Sequence, residues 1–360
     1  MYSIMEQLRT ELSDLETFVS SITPVNTALS THNDTTVRQY LTLRRQYDYA
    51  AFVVALYASF ERFAETLIGE YAKQIASFTS YQDLPSALTK KHLIQSAEML
   101  SRKRLGEGRY ANLSQVAVAE NLFKCLSGAE SYSLTNEAIV SHDTNLRYAD
   151  VGKLLSDVGI INFCDNLPGI DIVWEWFVRA ELNAGDETIE RTLEYNQAIK
   201  TILENRLNDL VDRRNEVAHR GGNADELLGQ AEMLGRIDVI RVFSEAMFVT
   251  ASSTYLKLRT ADENYACRVE FVEGPYKFGT VVVIKSPSVP LVRGQPSFVI
   301  HADGKVRWGH VVGLKVDNEP VEQVGPGVNK LVGVELDLKC NQNSVLWLNR
   351  VADEVVWAPA

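Results

Sequence analysis

The hydrophobic period of this chain changes once, near Ala261, and that change restricts the fold to two different kinds of domain. Upstream, apolar residues recur at three- and four-residue steps, the repeat of helices that bury one face. Residues 2–22 set Ile4, Leu8, Leu12, Leu15, Val19 and Ile22 on one stripe, and Pro24 is expected to halt that helix. Residues 37–77 carry a longer pattern, with Asp34 or Thr35 suited to cap it. Its centre, 50–63, is apolar nearly all round, which marks a central buried helix. Further helices are read over 85–105, 113–127, 150–160, 171–182, 188–220 and 224–258, with 128–149 polar and irregular. Downstream of Cys267 the alternation has period two, valine dominates, and glycine and proline punctuate. Candidate strands 267–273, 279–285, 296–302, 305–316, 331–338 and 343–348 predict a small closed barrel, with tight turns at 302–305 and at Asp317-Asn318. The expected fold is multidomain, α plus β: an all-α helical bundle over residues 1–260, then a small antiparallel β-barrel over 261–360.

Charge narrows the function classes. The net charge is −11, from 36 basic and 47 acidic residues, and residues 1–260 hold 26 of the former and 35 of the latter. A protein that grips RNA through many phosphates needs the opposite sign. Any RNA contact is therefore expected to be local, at Arg213, Arg214 and Arg220, with Arg102, Lys103, Arg104 and Arg109 as secondary candidates. The same acidity leaves room for a basic partner.

Cys125, Cys164, Cys267 and Cys340 are scattered, without zinc spacing or disulfide density, so free thiols are expected. No apolar run approaches the ~20 residues of a membrane span, and the first residues lack a basic signal-peptide head. A cytoplasmic protein without membrane contact is expected. No glycine-rich phosphate loop ending in Lys-Ser/Thr is present, which excludes a P-loop GTPase. His142 stands alone in a polar stretch and reads as a surface residue rather than a metal ligand. Glu61 interrupts the apolar run and reads as partly buried against an arginine. Trp174, Trp176 and Phe177 read as core.

One stretch carries chemistry: Asp212-Arg213-Arg214-Asn215-Glu216-Val217-Ala218-His219-Arg220-Gly221-Gly222. It closes a long amphipathic run, and the paired glycines supply the left-handed backbone that ends a helix. At about 100° per residue, Asn215 and His219 lie within ~40° of each other, while Arg214 is roughly 140° from His219 but has a long side chain. The negative end of the helix dipole favours a cation at this place. A guanidinium, an amide and an imidazole together suit a phosphate whose charge grows in a transition state. The alternative is an ordinary last turn, in which Glu216 pairs with Arg220 or Asp212 on the surface.

Arg214-Asn215-Glu216-Val217-Ala218-His219 resembles the Arg-x4-6-His signature of HEPN domains, and Arg-Asn-x-x-Ala-His-x-Gly is close to the form of the RiboL-PSP-HEPN branch. The run 53–63, with Phe60-Glu61-Arg62-Phe63, resembles the family's early helix, and Asn145-Leu146-Arg147-Tyr148 through Ile160 its middle segment. The resemblance covers roughly residues 35–255. Domains of this kind are metal-independent endoribonucleases that act as dimers with facing signatures, though some members are inactive interaction modules. In the C-terminal part, 310–327 followed by 332–337 resembles the second-domain barrel of translational GTPases such as elongation factor Tu, which implies docking to ribosome, tRNA or protein.

The resemblance implies an endoribonuclease of toxin or antiphage-defence type. It would use Arg214, Asn215 and His219 as catalytic residues, Arg213 and Arg220 as RNA contacts, and no metal or cofactor. Its partners would be tRNA, rRNA or mRNA, a second copy of the chain, and an antitoxin or other defence protein. Two other classes stay open: a non-catalytic scaffold that binds nucleotide or protein, and a translation-associated RNA-binding protein.

Overall fold

The computed structural model describes residues 1–102, 105–142, 144–185, 189–220, 226–327 and 330–358. The chain divides into two compact units, Ser3–Thr250 and, together with Met1–Tyr2, Ala251–Ala360. The division falls inside the last helix rather than at its end.

The first unit is helical. Its elements are α1 (Tyr2–Ser30), α2 (Thr35–Ala76), α3 (Ser86–Arg102), α4 (Gln115–Leu126), α5 (Asn136–Ile139), α6 (Tyr148–Asp157), α7 (Phe163–Asn166), α8 (Asp171–Ala180), α9 (Leu193–His219) and the greater part of α10 (Gln230–Arg259). Pro24 does not halt α1. It removes one amide donor, leaving the Ser20 carbonyl without its helical partner. Gln230 Nε2 donates to that carbonyl at 3.5 Å while Gln230 Oε1 accepts from the Thr23 hydroxyl at 2.6 Å, so the turn persists. Asp34 caps α2 by accepting from the Thr36 amide at 2.6 Å, and Thr192 caps α9 by accepting from Tyr195. The apolar centre of α2 is buried on one side, with Phe52, Val53, Leu56, Tyr57, Phe60 and Phe63 at 3% exposure or less. Ala51, Val54 and Ala58 are exposed, so the helix is not covered all round as its composition suggested. Phe243 of α10 ties the layers together. Its ring meets Phe60 of α2 at 5.9 Å, Tyr148 of α6 at 5.8 Å and Phe163 of α7 at 5.6 Å. Trp176 and Phe177 are buried, as their spacing implied. α2 lies against α9, and the segment between α5 and α6 touches both.

The second unit is an antiparallel sheet: β1 (Ala266–Val269), β2 (Phe271–Tyr276), β3 (Val281–Lys285), β4 (Leu291–Val292), β5 (Pro296–Ile300), β6 (Val306–Val316), β7 (Glu319–Val321), β8 (Gln323–Val324), β9 (Leu331–Leu336) and β10 (Val345–Asn349). The strand order is β1-β10-β5-β6-β9-β3-β2, with β7 added to β6, and β4 pairing β8 separately. Long β6 joins the two halves: Val306 to His310 pair with β5, and Val311 to Val316 with β9 across a register shift between Val311 and Gly313. Its core includes Val282, Ile284, Leu314, Val334 and Leu346. Gly304, and Asp317 with Asn318, take positive φ in the two turns expected there.

The sheet is not closed, contrary to the barrel expected from strand count. The predicted strand 267–273 is in fact two, β1 and β2, at opposite ends of the pairing order with only Glu270 between them. Antiparallel neighbours need a turn of about two residues to fold back on each other, so these two ends cannot form the ladder that closure requires.

Candidate functional site

The site grows from the last two turns of α9. Leu207, Leu210, Val211 and Val217 are buried and fix the helix in the bundle, which sets the direction of the polar residues between them. The Arg220 amide donates to the Glu216 carbonyl at 2.9 Å and caps the helix directly after His219. Gly221 and Gly222 lie outside the described residues.

The two adjacent arginines have different surroundings. Arg213 is held in the bundle, donating from Nε to Asp209 at 2.9 Å and from Nη1 to the Tyr49 hydroxyl at 3.0 Å and the Glu226 carbonyl at 3.1 Å. The Arg214 guanidinium stands 5.3 Å from the centre of the Tyr57 ring and donates from Nη1 to Asn215 Oδ1 at 3.2 Å. Its remaining N–H groups have no acceptor among the described residues. The long side chain thus lies on the α2 side of α9 at the level of Asn215.

Asn215 Oδ1 also accepts from Asn145 Nδ2 at 2.7 Å. A guanidinium only donates, so the oxygen of Asn215 must face it, and Asn145 must then present its NH2 group. Asn215 is left with its own NH2, which has no partner among the described residues. Beneath, the Tyr57 hydroxyl donates to Glu61 Oε1 at 2.7 Å and accepts from the Leu146 amide at 2.9 Å. Burial first, then the Glu61 bond, pushes the phenol well up, so the hydroxyl stays protonated and keeps that donor role. Glu61 is therefore bonded to a tyrosine, not to the arginine expected from its sequence setting.

An open cavity of about 470 Å³ lies beside this cluster, with Glu61, His142, Asn145, Arg147 and Asn215 in its wall. Arg147 forms an ion pair with Asp212. His142 is not a surface residue: its Nε2 meets Glu65 at 2.7 Å and its Nδ1 the Thr144 carbonyl at 2.5 Å. The Glu65 bond outweighs burial and raises the imidazole above its ordinary value, with the Thr144 carbonyl adding to the effect. Among the described residues no group of three His, Cys, Asp or Glu side chains is placed to hold a metal ion, and no helix is long and apolar enough to cross a membrane.

The structure thus brings Arg214 and Asn215 together. His219 is exposed one turn further on, about 6 Å along the axis, and has no partner among the described residues. Arg220 pairs with Glu216 at 3.0 Å across the surface. Lys103 and Arg104 lie outside the described residues. Sequence reasoning missed Tyr57 and Asn145 as members of the cluster. Both lie within stretches that resemble known ones, 53–63 and from Asn145 onward, and that resemblance was the one signal pointing to them.

A comparison with curated proteins returns no match. The family model described as RiboL-PSP-HEPN matches residues 6–251, which takes in Tyr57, Glu61, Asn145 and the whole of α9. An HEPN domain of this kind suggests a nuclease or an RNA-related function. The match spans more than half of the chain, and the chain belongs to the RiboL-PSP-HEPN family.

Proposed function

We propose that the protein is a metal-independent endoribonuclease of toxin or defence type, acting at Arg214, Asn215 and His219. The observation that carries the reading is the division of labour in the last turns of α9. Arg214 and Asn215 are locked to each other and, among the described residues, keep donors to spare, while His219 stands exposed one turn away with no partner among those residues. In this reading the ribose 2′-hydroxyl attacks the adjacent phosphodiester, so DNA is not a substrate. The remaining guanidinium N–H donors of Arg214 and the Asn215 NH2 hold the phosphate and meet its growing negative charge. His219 moves a proton at its imidazole. Attack on phosphorus and departure of the 5′-oxygen call for a base and an acid. His219 is one such group per chain, which favours a site completed by a second copy.

The test is cleavage of total tRNA, rRNA and a matched DNA in the presence of EDTA, by the parent, Arg214→Ala and His219→Ala. The expected outcome is cleavage of RNA alone, with 2′,3′-cyclic phosphate ends, falling by at least ~100-fold in each variant. A His219→Ala protein that cuts as fast as the parent would end the assignment.

The acidity of residues 1–260 favours a second reading, a non-catalytic scaffold for a basic partner such as a defence-system protein. A parent protein inert on every RNA, yet forming a stable complex with such a partner, would favour it. For the C-terminal sheet, docking to tRNA or the ribosome rests on the sequence resemblance alone.

A further inference from the structure

The segment that leads from α5 to α6 carries none of the proposed catalytic residues, yet it is fastened to α9, which holds them, and to α2 beside it. The Leu146 amide donates to the Tyr57 hydroxyl of α2 at 2.9 Å, and the Leu146 side chain is fully buried. Asn145 donates to Asn215 at 2.7 Å, Arg147 pairs with Asp212, and the Tyr148 amide donates to Asn208 Oδ1 at 3.1 Å, all on α9. Upstream, His142 lies between Glu65 of α2 and the Thr144 carbonyl.

Both partners of His142 are acceptors. A neutral imidazole has one N–H and one lone pair, so it satisfies one contact and sets a lone pair against an oxygen at the other. Only the imidazolium satisfies both. The Thr144 carbonyl shares a rigid peptide plane with the Asn145 nitrogen, so fixing that carbonyl fixes the backbone from which the Asn145 side chain departs. Among the described residues, the ionisable groups around the ring are Glu65 and Glu61 of α2 and, in the wall of the same cavity, Arg147 with its partner Asp212 of α9.

We infer that His142 is a positioning residue: as an imidazolium bridging Glu65 and the Thr144 carbonyl, it fixes the peptide that presents Asn145, and Asn145 fixes the oxygen of Asn215 that receives Arg214. The inference rests on the reading of Arg214 and Asn215 as site residues, but the chain of contacts belongs to the fold and can be tested without catalysis. Because the His142 pKa is raised, the bridge is complete below the ordinary histidine range and is lost as pH rises through the raised value. The arrangement of Asn215 should follow that same transition.

The experiment is NMR of the full chain, with 15N in histidine and asparagine, across a pH titration. It is made on a His219→Ala background so that His219 does not perturb Asn215. The expected result has three parts. Both His142 nitrogens carry hydrogen up to a midpoint above that of free histidine. Glu65→Gln lowers that midpoint. The Asn215 side-chain NH2 resonances shift with the same midpoint in the His219→Ala protein and cease to shift when His142→Gln is added. An Asn215 signal that stays flat through the His142 transition, or a His142 midpoint no higher than that of free histidine, overturns the inference. The coupled titration together with no RNA cleavage by the otherwise unsubstituted protein leaves this inference standing and removes the nuclease reading. Cleavage with a flat Asn215 signal does the reverse.

Discussion

Two histidines of the helical unit show how partners decide charge. His92 is fully buried; its Nε2 accepts from the Thr135 amide at 3.0 Å, and its Nδ1 faces the Tyr81 hydroxyl at 3.3 Å. That hydroxyl gives its own hydrogen to the Thr89 carbonyl at 3.1 Å, so it accepts from Nδ1–H and the ring is neutral. Burial lowers its pKa to about 4. Between that value and the ordinary histidine pKa of about 6.5 the unfolded chain binds the extra proton. The stability His92 lends is therefore complete above the ordinary value and is lost as pH falls towards about 4, by on the order of 3 kcal/mol. Thermal unfolding of the parent and of His92→Gln, whose side-chain oxygen can still accept from Thr135, should show a shallower decline for the variant over that interval. Parallel declines would remove His92 as the cause. His142 is the opposite case, with an acceptor at each nitrogen. The sequence could not separate the two, because the deciding partners are remote: Glu65 is 77 residues from His142, and Thr135 is 43 from His92. The same limit applies to the site. That Arg214 and Asn215 lie side by side, with His219 one turn away, was legible because a helix places neighbours in sequence close in space. The Asn145 contact to Asn215 spans 70 residues and that of Leu146 to Tyr57 spans 89, and no local period encodes either.

At the scale of elements, burial along α1 and α2 is uneven in a way that predicts where substitutions matter. No residue between Val19 and Tyr49 is buried, although both helices continue through most of that stretch, and Tyr40, Leu43 and Tyr47 are more than half exposed. Beyond Tyr49 nearly every inward position of α2 is covered. Phe243 is 1% exposed and meets three aromatic rings on three other helices. Phe243→Ala should cost about 3–5 kcal/mol, the loss of a large core side chain plus the cavity it leaves. Tyr47→Ser should stay within about 0.5 kcal/mol, as exposed substitutions do. Urea unfolding of the two variants checks both, and a Tyr47→Ser protein as unstable as Phe243→Ala would mean that the exposed half of α2 is covered in solution. Element type was well marked in the sequence by period, from Leu8 and Leu12 in α1 to Val282 and Ile284 in β3. Element ends were less so. Pro24 passed through α1 because Gln230, distant in sequence, serves the orphaned carbonyl. Closure of the sheet was not legible either, because it depends on which strands become neighbours, and that follows from the single residue between β1 and β2.

At the scale of the whole molecule, charge constrains how RNA can be held. The family match, residues 6–251, nearly coincides with the unit Ser3–Thr250, and the first 260 residues carry nine more acidic than basic residues. Of the basic residues near the end of α9, Arg213 is bound to Asp209, Tyr49 and Glu226, Arg147 to Asp212, and Arg220 to Glu216. Arg214 keeps donors without acceptors among the described residues, and the exposed Arg220 pair is the next easiest to exchange for a phosphate. In the two-copy site proposed above, one or two cations per chain would give about two to four phosphate contacts. For a single strand the logarithm of the binding constant then falls with the logarithm of salt at a slope of about −1.5 to −3, from roughly −0.7 per phosphate. The slope should lose about 1.4 in a two-copy site on Arg214→Ala, because each chain gives up one contact. Fluorescence anisotropy of a short single-stranded RNA from low to moderate salt measures both. A slope steeper than about −5 would require a broad basic surface, which the charge balance of this chain does not supply, and would move the main RNA contact away from the end of α9.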